Sequence, residues 1–229
     1  MNDDDERGAG GHEHRLPPTL AVLVAIGLYT FLPDSLLLAP RYVIPAIEVV
    51  LLAALIATNP WRLTRETRWS GWVAIIQCGL LIVANMVSLG VLVHSIAHAG
   101  SGKDLLYGGL QVWATNVIGF ALLYWEMDRG GPVRRREAPR SQLPPADWRF
   151  SQDENHDAAA EVARTSSITS NWRPVFIDYL YLSLTNSSAF SPTDTMPLTS
   201  RAKLLMGTQA SAALLTSLLV VARAVGALG

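Results

Sequence analysis

Apolar residues fall in long unbroken runs. They do not alternate as in a half-buried strand, nor form the narrow stripe of a surface helix. No Asp, Glu, Lys or Arg occurs in 70–102, in 105–125 or in 204–222. A helix needs about 20 apolar residues to cross a hydrocarbon core, within a range of about 17 to 25. The pattern predicts spanning helices over 16–32, 42–58, 72–96, 105–125 and 202–222. Pro17 and Pro18 suit the start of the first, where a missing N–H costs nothing, and Pro33-Asp34 ends it. Asn59-Pro60 closes the second. Trp61, Trp69, Trp72, Tyr124 and Trp125 mark predicted ends, where amphipathic rings settle between headgroups and acyl chains.

Between the fourth and last runs the character changes. The stretch 128–173 holds eight arginines, seven acidic residues and four prolines, and it reads as a mobile solvent loop with no core of its own. Short apolar patches around 148–150 and at Trp172 are expected on the membrane surface or docked on the helices. A half-length apolar piece, 174–190, comes next, then a polar turn, 191–199. With Thr185 to Ser188 so polar, the piece is expected to re-enter among the other helices or lie on the surface, because irregular backbone cannot face lipid. A full crossing, making six spans, is the remaining option.

The predicted fold is therefore an all-α membrane protein, a bundle of five transmembrane helices plus one re-entrant half-helix. Its parts are an acidic, Gly-rich tail (1–15), a four-helix transmembrane region (16–126), the arginine-rich loop (127–173), and 174–229 with the half-helix, polar turn and last span.

Charge sharpens this picture. Charged residues make up 16% of the 229, against about 25% in an ordinary soluble chain, so a water-soluble enzyme is excluded. A net charge of -1 gives no basic character that would point to nucleic acid. Cys78, the single cysteine, can form neither an internal disulfide nor a zinc cluster and reads as a small core residue. The acidic start (Asp3, Asp4, Asp5, Glu6) lacks the positive region of a signal peptide, so the first run is expected to persist as a span. Arg7 and Arg15, then Arg62, Arg65 and Arg68, then the long loop carry most of the positive charge. Arg41 and Lys103 stand alone in the other two loops. The positive-inside rule thus predicts a cytoplasmic N-terminus.

Few residues offer chemistry. Glu48 is an intramembrane carboxylate, a proton or cation site unless Arg41 or a neighbouring helix satisfies it. Asn85 and Asn116 read as interhelical hydrogen-bonding glue. His94 and His98 share a helix face but lack further ligands nearby in sequence. Gly207 and Ser211 give a small-xxx-small spacing for close helix approach, within the subunit or in a homo-oligomer. No hydrolase, zinc-protease or Walker motif occurs, so no enzyme activity, cofactor or metal site is expected.

The most informative stretch is 176–205. Tyr181, Ser183 and Thr185, then Asp194, Met196-Pro197-Leu198-Thr199 and the run from Arg201, resemble the pore module of the potassium-channel superfamily. They match its short helix, the last filter residue, the turn and the inner helix. Ala189-Phe-Ser-Pro-Thr193 stands where that filter has T-V-G-Y-G. Without glycine, and with Pro192 fixing its own φ, the carbonyl ladder of a potassium filter is not carried over. In channels the short helix dips from outside, whereas the arginine count here puts the dip on the cytoplasmic side.

Asn59-Pro-Trp-Arg-Leu-Thr-Arg-Glu, Tyr124-Trp-Glu-Met-Asp-Arg-Gly-Gly-Pro132 and Ala189-Phe-Ser-Pro-Thr-Asp-Thr-Met-Pro197 resemble an uncharacterised family of bacterial multi-pass membrane proteins. That likeness implies a bacterial cytoplasmic (inner) membrane and no particular activity. The expected function is pore-like or cation transport-related, with Asp178, Ser183, Thr185, Asn186, Ser188 and Asp194 as the polar site and a small cation as ligand. The alternative is a non-transporting scaffold or envelope component, its arginine loop binding anionic headgroups or a soluble partner. Glu126, Asp128 and Arg129 are expected to anchor the end of span four or to grip the Asp194 turn.

Overall fold

The computed structural model describes residues 13–37, 39–58, 68–97, 102–154, 157–188 and 194–228. The described part is mainly helical, with turns and irregular connections and a two-residue ribbon. The main helices are α1 (Leu16–Thr30), α2 (Val43–Thr58), α3 (Arg68–Ala97), α4 (Gly102–Met127) and α9 (Ser200–Leu228), with α8 (Phe176–Ser188) about half the length of α3, α4 and α9 and slightly shorter than α1 and α2. Between α4 and α8 lie three short helices, α5 (Pro132–Glu137), α6 (Ala160–Ala163) and α7 (Ser167–Ser170). The ribbon pairs β1 (Trp148–Arg149) antiparallel with β2 (Met196–Pro197), Trp148 opposite Pro197 and Arg149 opposite Met196. Three helices, α3, α4 and α9, are long and apolar enough to cross a membrane; α1 and α2 are apolar but shorter.

Helix α4 is the axis. It packs against α1, α3, α8 and α9, while α2 sits outside against α1 and α3. The apolar runs look uniform in sequence, yet each helix buries one side only. Val22, Ala25, Leu52, Leu81, Phe120 and Ala121 face inward. Leu20, Val50, Ile76, Leu110, Leu204 and Val221 stay exposed. A molecule that exposes this much aliphatic surface is made for an apolar solvent or for partners. Gly109 sets the α4–α9 distance: a methyl added there would stand 2.5 Å from the Val220 side chain.

The arginine-rich stretch departs from the expected solvent loop. It folds into a cap over the C-terminal end of α4 and shares the core with it. Trp148 is fully buried, its ring centroid 4.7 Å from that of Tyr124 and 6.4 Å from that of Tyr179. Its indole Nε1 donates to the Met206 sulfur at 3.1 Å. Phe150 and Val133 join the same core. Composition hid this because the apolar residues are few but large, and one buried Trp contributes as much area as several aliphatic side chains. For the same reason Tyr124 and Trp125 are not interfacial anchors: both are buried beneath the cap, whereas Trp69 and Trp72 are exposed. Trp61 lies outside the described residues.

Chain reversal after α4 uses three successive residues in the left-handed region, Arg129 (φ 53°), Gly130 (φ 82°) and Gly131 (φ 94°). Glycine adopts such angles readily; arginine does not. Arg129 is held there by Asp153 (2.7 Å) and the Trp148 carbonyl (3.3 Å).

Candidate functional site

Helix α8 starts at the cap end. Its first amide, Phe176 N, donates to Glu13 at 2.6 Å, and the Trp125 indole donates to the same carboxylate oxygen at 3.0 Å. Asp178 accepts from Val175 N at 2.7 Å. Two carboxylates thus sit at the positive end of the α8 dipole, which stabilises a helix start. The chain next described, 194–200, is back at the same end. There β2 pairs with β1, and Thr199 caps α9 by accepting from Ala202 N at 3.2 Å.

The expected polar site is divided by this geometry. Ser183 and Asn186 come together between α4, α8 and α9. Thr185 and Ser188 bond back into their own helix, to Tyr181 O and to Leu184 O. Asp178 serves the helix start, and Asp194 is exposed at the surface. The stand-in for a filter, 189–193, lies outside the described residues.

The centre of the cluster is a residue that sequence reasoning missed, Gln209 of α9. It is fully buried, and its Nε2 donates to Ser183 O (3.0 Å), Ser183 Oγ (2.5 Å) and Ser187 Oγ (2.9 Å). Its Oε1 accepts from Tyr124 Oη (2.6 Å) and Asn186 Nδ2 (2.8 Å). Ser183 Oγ donates onward to Val117 O of α4 at 2.7 Å, and Asn186 also reaches Met206 O at 3.1 Å. One signal could have found it: a glutamine inside a charge-free run must be paired or wet. Chemically, the arrangement is a hydrogen-bonded clamp. Its donors and acceptors answer one another and leave little to offer an ion.

A second hub lies beside it in the cap. Asp128 accepts from Tyr179 Oη (2.5 Å) and from Asp147 N (2.8 Å). The Asp147 carboxylate then accepts from Thr199 Oγ1 (2.6 Å) and from Arg201 (2.7 and 2.5 Å), while its carbonyl accepts from Leu198 N (2.8 Å). The turn before α9 is therefore gripped by Asp147. Arg129 points to Asp153 and not to Asp194, so the second of the two expected roles, a grip on Asp194, is not what the side chain does; Asp194 is exposed. Arg135 is fully buried, donates to the carbonyls of Pro174, Trp125 and Asp128, and stands 4.9 Å over the Tyr179 ring.

Electrostatics follow this packing. Burial acts to lower the Arg129 pKa, but Asp128 and Asp153 more than offset it, and it ends above the ordinary range. Burial and neighbouring guanidinium charges push Arg140 and Arg173 down. Both remain cations at neutral pH. Arg136, Arg140 and Arg173 are tied to backbone carbonyls across the cap, and among the described residues no carboxylate is bonded to them.

The remaining candidates separate. Arg41 does not reach Glu48. It pairs with Asp34 and donates to the Thr30 and Leu32 carbonyls, closing the C-terminal end of α1. Glu48 is buried with both carboxylate oxygens lacking a hydrogen-bond partner, and the neighbouring Gln77 amide donates to its carbonyl at 3.2 Å. Asn85 is interhelical glue, donating to Val112 O at 2.7 Å, but the buried Asn116 amide makes no hydrogen bond. Gly207 and Ser211 are exposed, so they do not bring helices together within the subunit. His94 is exposed, and His98 lies outside the described residues, as do Arg62 and Arg65. Cys78 is buried in the core.

No family model, curated protein or solved structure matches this chain.

Proposed function

We propose that the chain is an integral protein of a bacterial cytoplasmic membrane, crossing with α1, α2, α3, α4 and α9 and dipping α8 into the bilayer from the cap side. Thirteen residues of helix extend about 20 Å, and α8 is polar in its last third (Thr185 to Ser188), unlike the similarly short but apolar α1 and α2 of 15 and 16 residues. The start of α8 lies at the cap end, and the chain described next, from 194, is back there with β2 paired to β1, which supports a dip over a crossing. The positive-inside rule puts the cap in the cytoplasm.

Of the two functional readings, the geometry favours a non-transporting membrane component that acts through its cap. The carrying observation is the closure of the Gln209 cluster: the groups that would coordinate an ion on α8 are spent on one another. The cap then offers what a partner would recognise, the Arg136–Arg140–Arg173 cluster at the helix ends. Guanidinium groups at that level suit anionic lipid headgroups.

Reconstitution tests this reading. Vesicles containing the protein should leak monovalent cations no faster than empty ones. In detergent, an anionic phospholipid should raise the melting temperature more than a zwitterionic one, and Arg140→Gln with Arg173→Gln should abolish the difference. Cation flux that disappears on Ser183→Ala with Asn186→Ala would return the pore reading.

A further inference from the structure

The scaffold reading makes no use of Glu48, and what surrounds that residue supports an independent site. Glu48 is 1% exposed, and neither Oε1 nor Oε2 has a partner. On the neighbouring α1 the Tyr29 hydroxyl is also buried without a partner. Tyr29 packs against Ile44, which shares a face of α2 with Glu48 one turn away.

Toward the cap, a cavity of about 70 Å³ begins one turn beyond Glu48, at Leu52. Gln77 and Cys78 line it as well, and it opens past Ser70 to Arg15 and Glu126 at the cap end of the bundle. It has room for about two waters. Gln77 joins the two places, since it lines the cavity and its side-chain amide bonds to the Glu48 carbonyl. The titratable and charged groups on the surrounding elements are Tyr29 on α1 and Arg15 before it, Cys78 on α3 and Glu126 on α4. No cation among them is hydrogen-bonded to Glu48.

A buried carboxylate with no hydrogen bond to either oxygen is costly, and the neutral acid is far less so. Among the described residues, no group of three His, Cys, Asp or Glu side chains could hold a metal ion instead. We propose that Glu48 is a proton-binding site, exchanging with the cap-side solution through the cavity lined by Gln77 and Cys78. The proton arrives from water in the cavity, forms an O–H bond at one carboxylate oxygen, and leaves by the same route. Nothing is oxidised or reduced.

Infrared difference spectroscopy of the full-length protein in lipid vesicles tests this. Spectra across about pH 4 to about pH 9 should contain a carboxylic-acid C=O band that is lost in Glu48→Gln. The band should downshift in D₂O. Widening the passage with Leu52→Ala should speed that exchange several-fold. If Glu48→Gln does not fold, Glu48→Asp should move the band instead of removing it. A spectrum that neither variant changes overturns the proposal, and so does a Glu48 band that never shifts in D₂O. Neither result bears on lipid binding by the cap, so the two readings fail separately.

Discussion

Replacing Gln209 with leucine is the sharpest test of the packing described above. The exchange keeps volume and helix propensity but removes every polar atom of the side chain. Two amide hydrogens serve the three acceptors on Ser183 and Ser187, and Oε1 accepts two more bonds, so about four full hydrogen bonds are lost. At about 0.6 kcal/mol each, the mean for interhelical bonds in membranes, these total about 2.4 kcal/mol. The Tyr124 hydroxyl, left buried and unpaired, adds about 1 kcal/mol. The expected loss is about 2–4 kcal/mol, read by denaturant unfolding in a fixed detergent. Thr208→Val is the control, because Thr208 is exposed and bonds only to Leu204 O of its own helix. Ser183→Ala combined with Gln209→Leu should cost less than the sum of the two, since they share partners. A Gln209→Leu loss below about 0.5 kcal/mol, the scale of an ordinary surface change, would refute the clamp.

Two further outcomes follow from the cap. Trp148→Ala should cost about 3–5 kcal/mol and expose 140–170 to limited proteolysis before the helices unfold, because that ring ties β1 to Tyr124 and Tyr179. Burial pushes the Glu13 carboxyl above its ordinary value, more than Arg135 and the donors Phe176 N and Trp125 Nε1 pull it down. The unfolded chain therefore releases this proton first as pH rises. Stability should fall from the ordinary carboxyl range up to the raised folded value and then level off. Glu13→Gln should flatten that stretch of a stability–pH curve, and an unchanged curve would contradict it.

The apolar runs by themselves determined where the long helices form, because a run without charge leaves the backbone no satisfied alternative in an apolar solvent. The predicted bounds differ from α1–α4 and α9 by a few residues, mostly at polar ends such as Arg68 and Gly102. The shortness of α8 was legible too, from the length of the apolar piece 174–190 and its polar stretch Thr185 to Ser188. The partners were not. Gln209 lies 26 residues from Ser183 and 85 from Tyr124, and nothing local marks the three as one cluster. The cap was invisible for a related reason: Arg135, Asp128 and Asp147 look like solvent charges until Tyr179, Thr199 and the Trp125 and Pro174 carbonyls are brought to them. Whether Glu48 met Arg41 depended on which way the 31–42 turn folds, and it folds Arg41 onto the end of α1. Hydrophobic patterning is a property of single segments. Pairing of polar groups depends on which segments meet, and only the tertiary structure sets that.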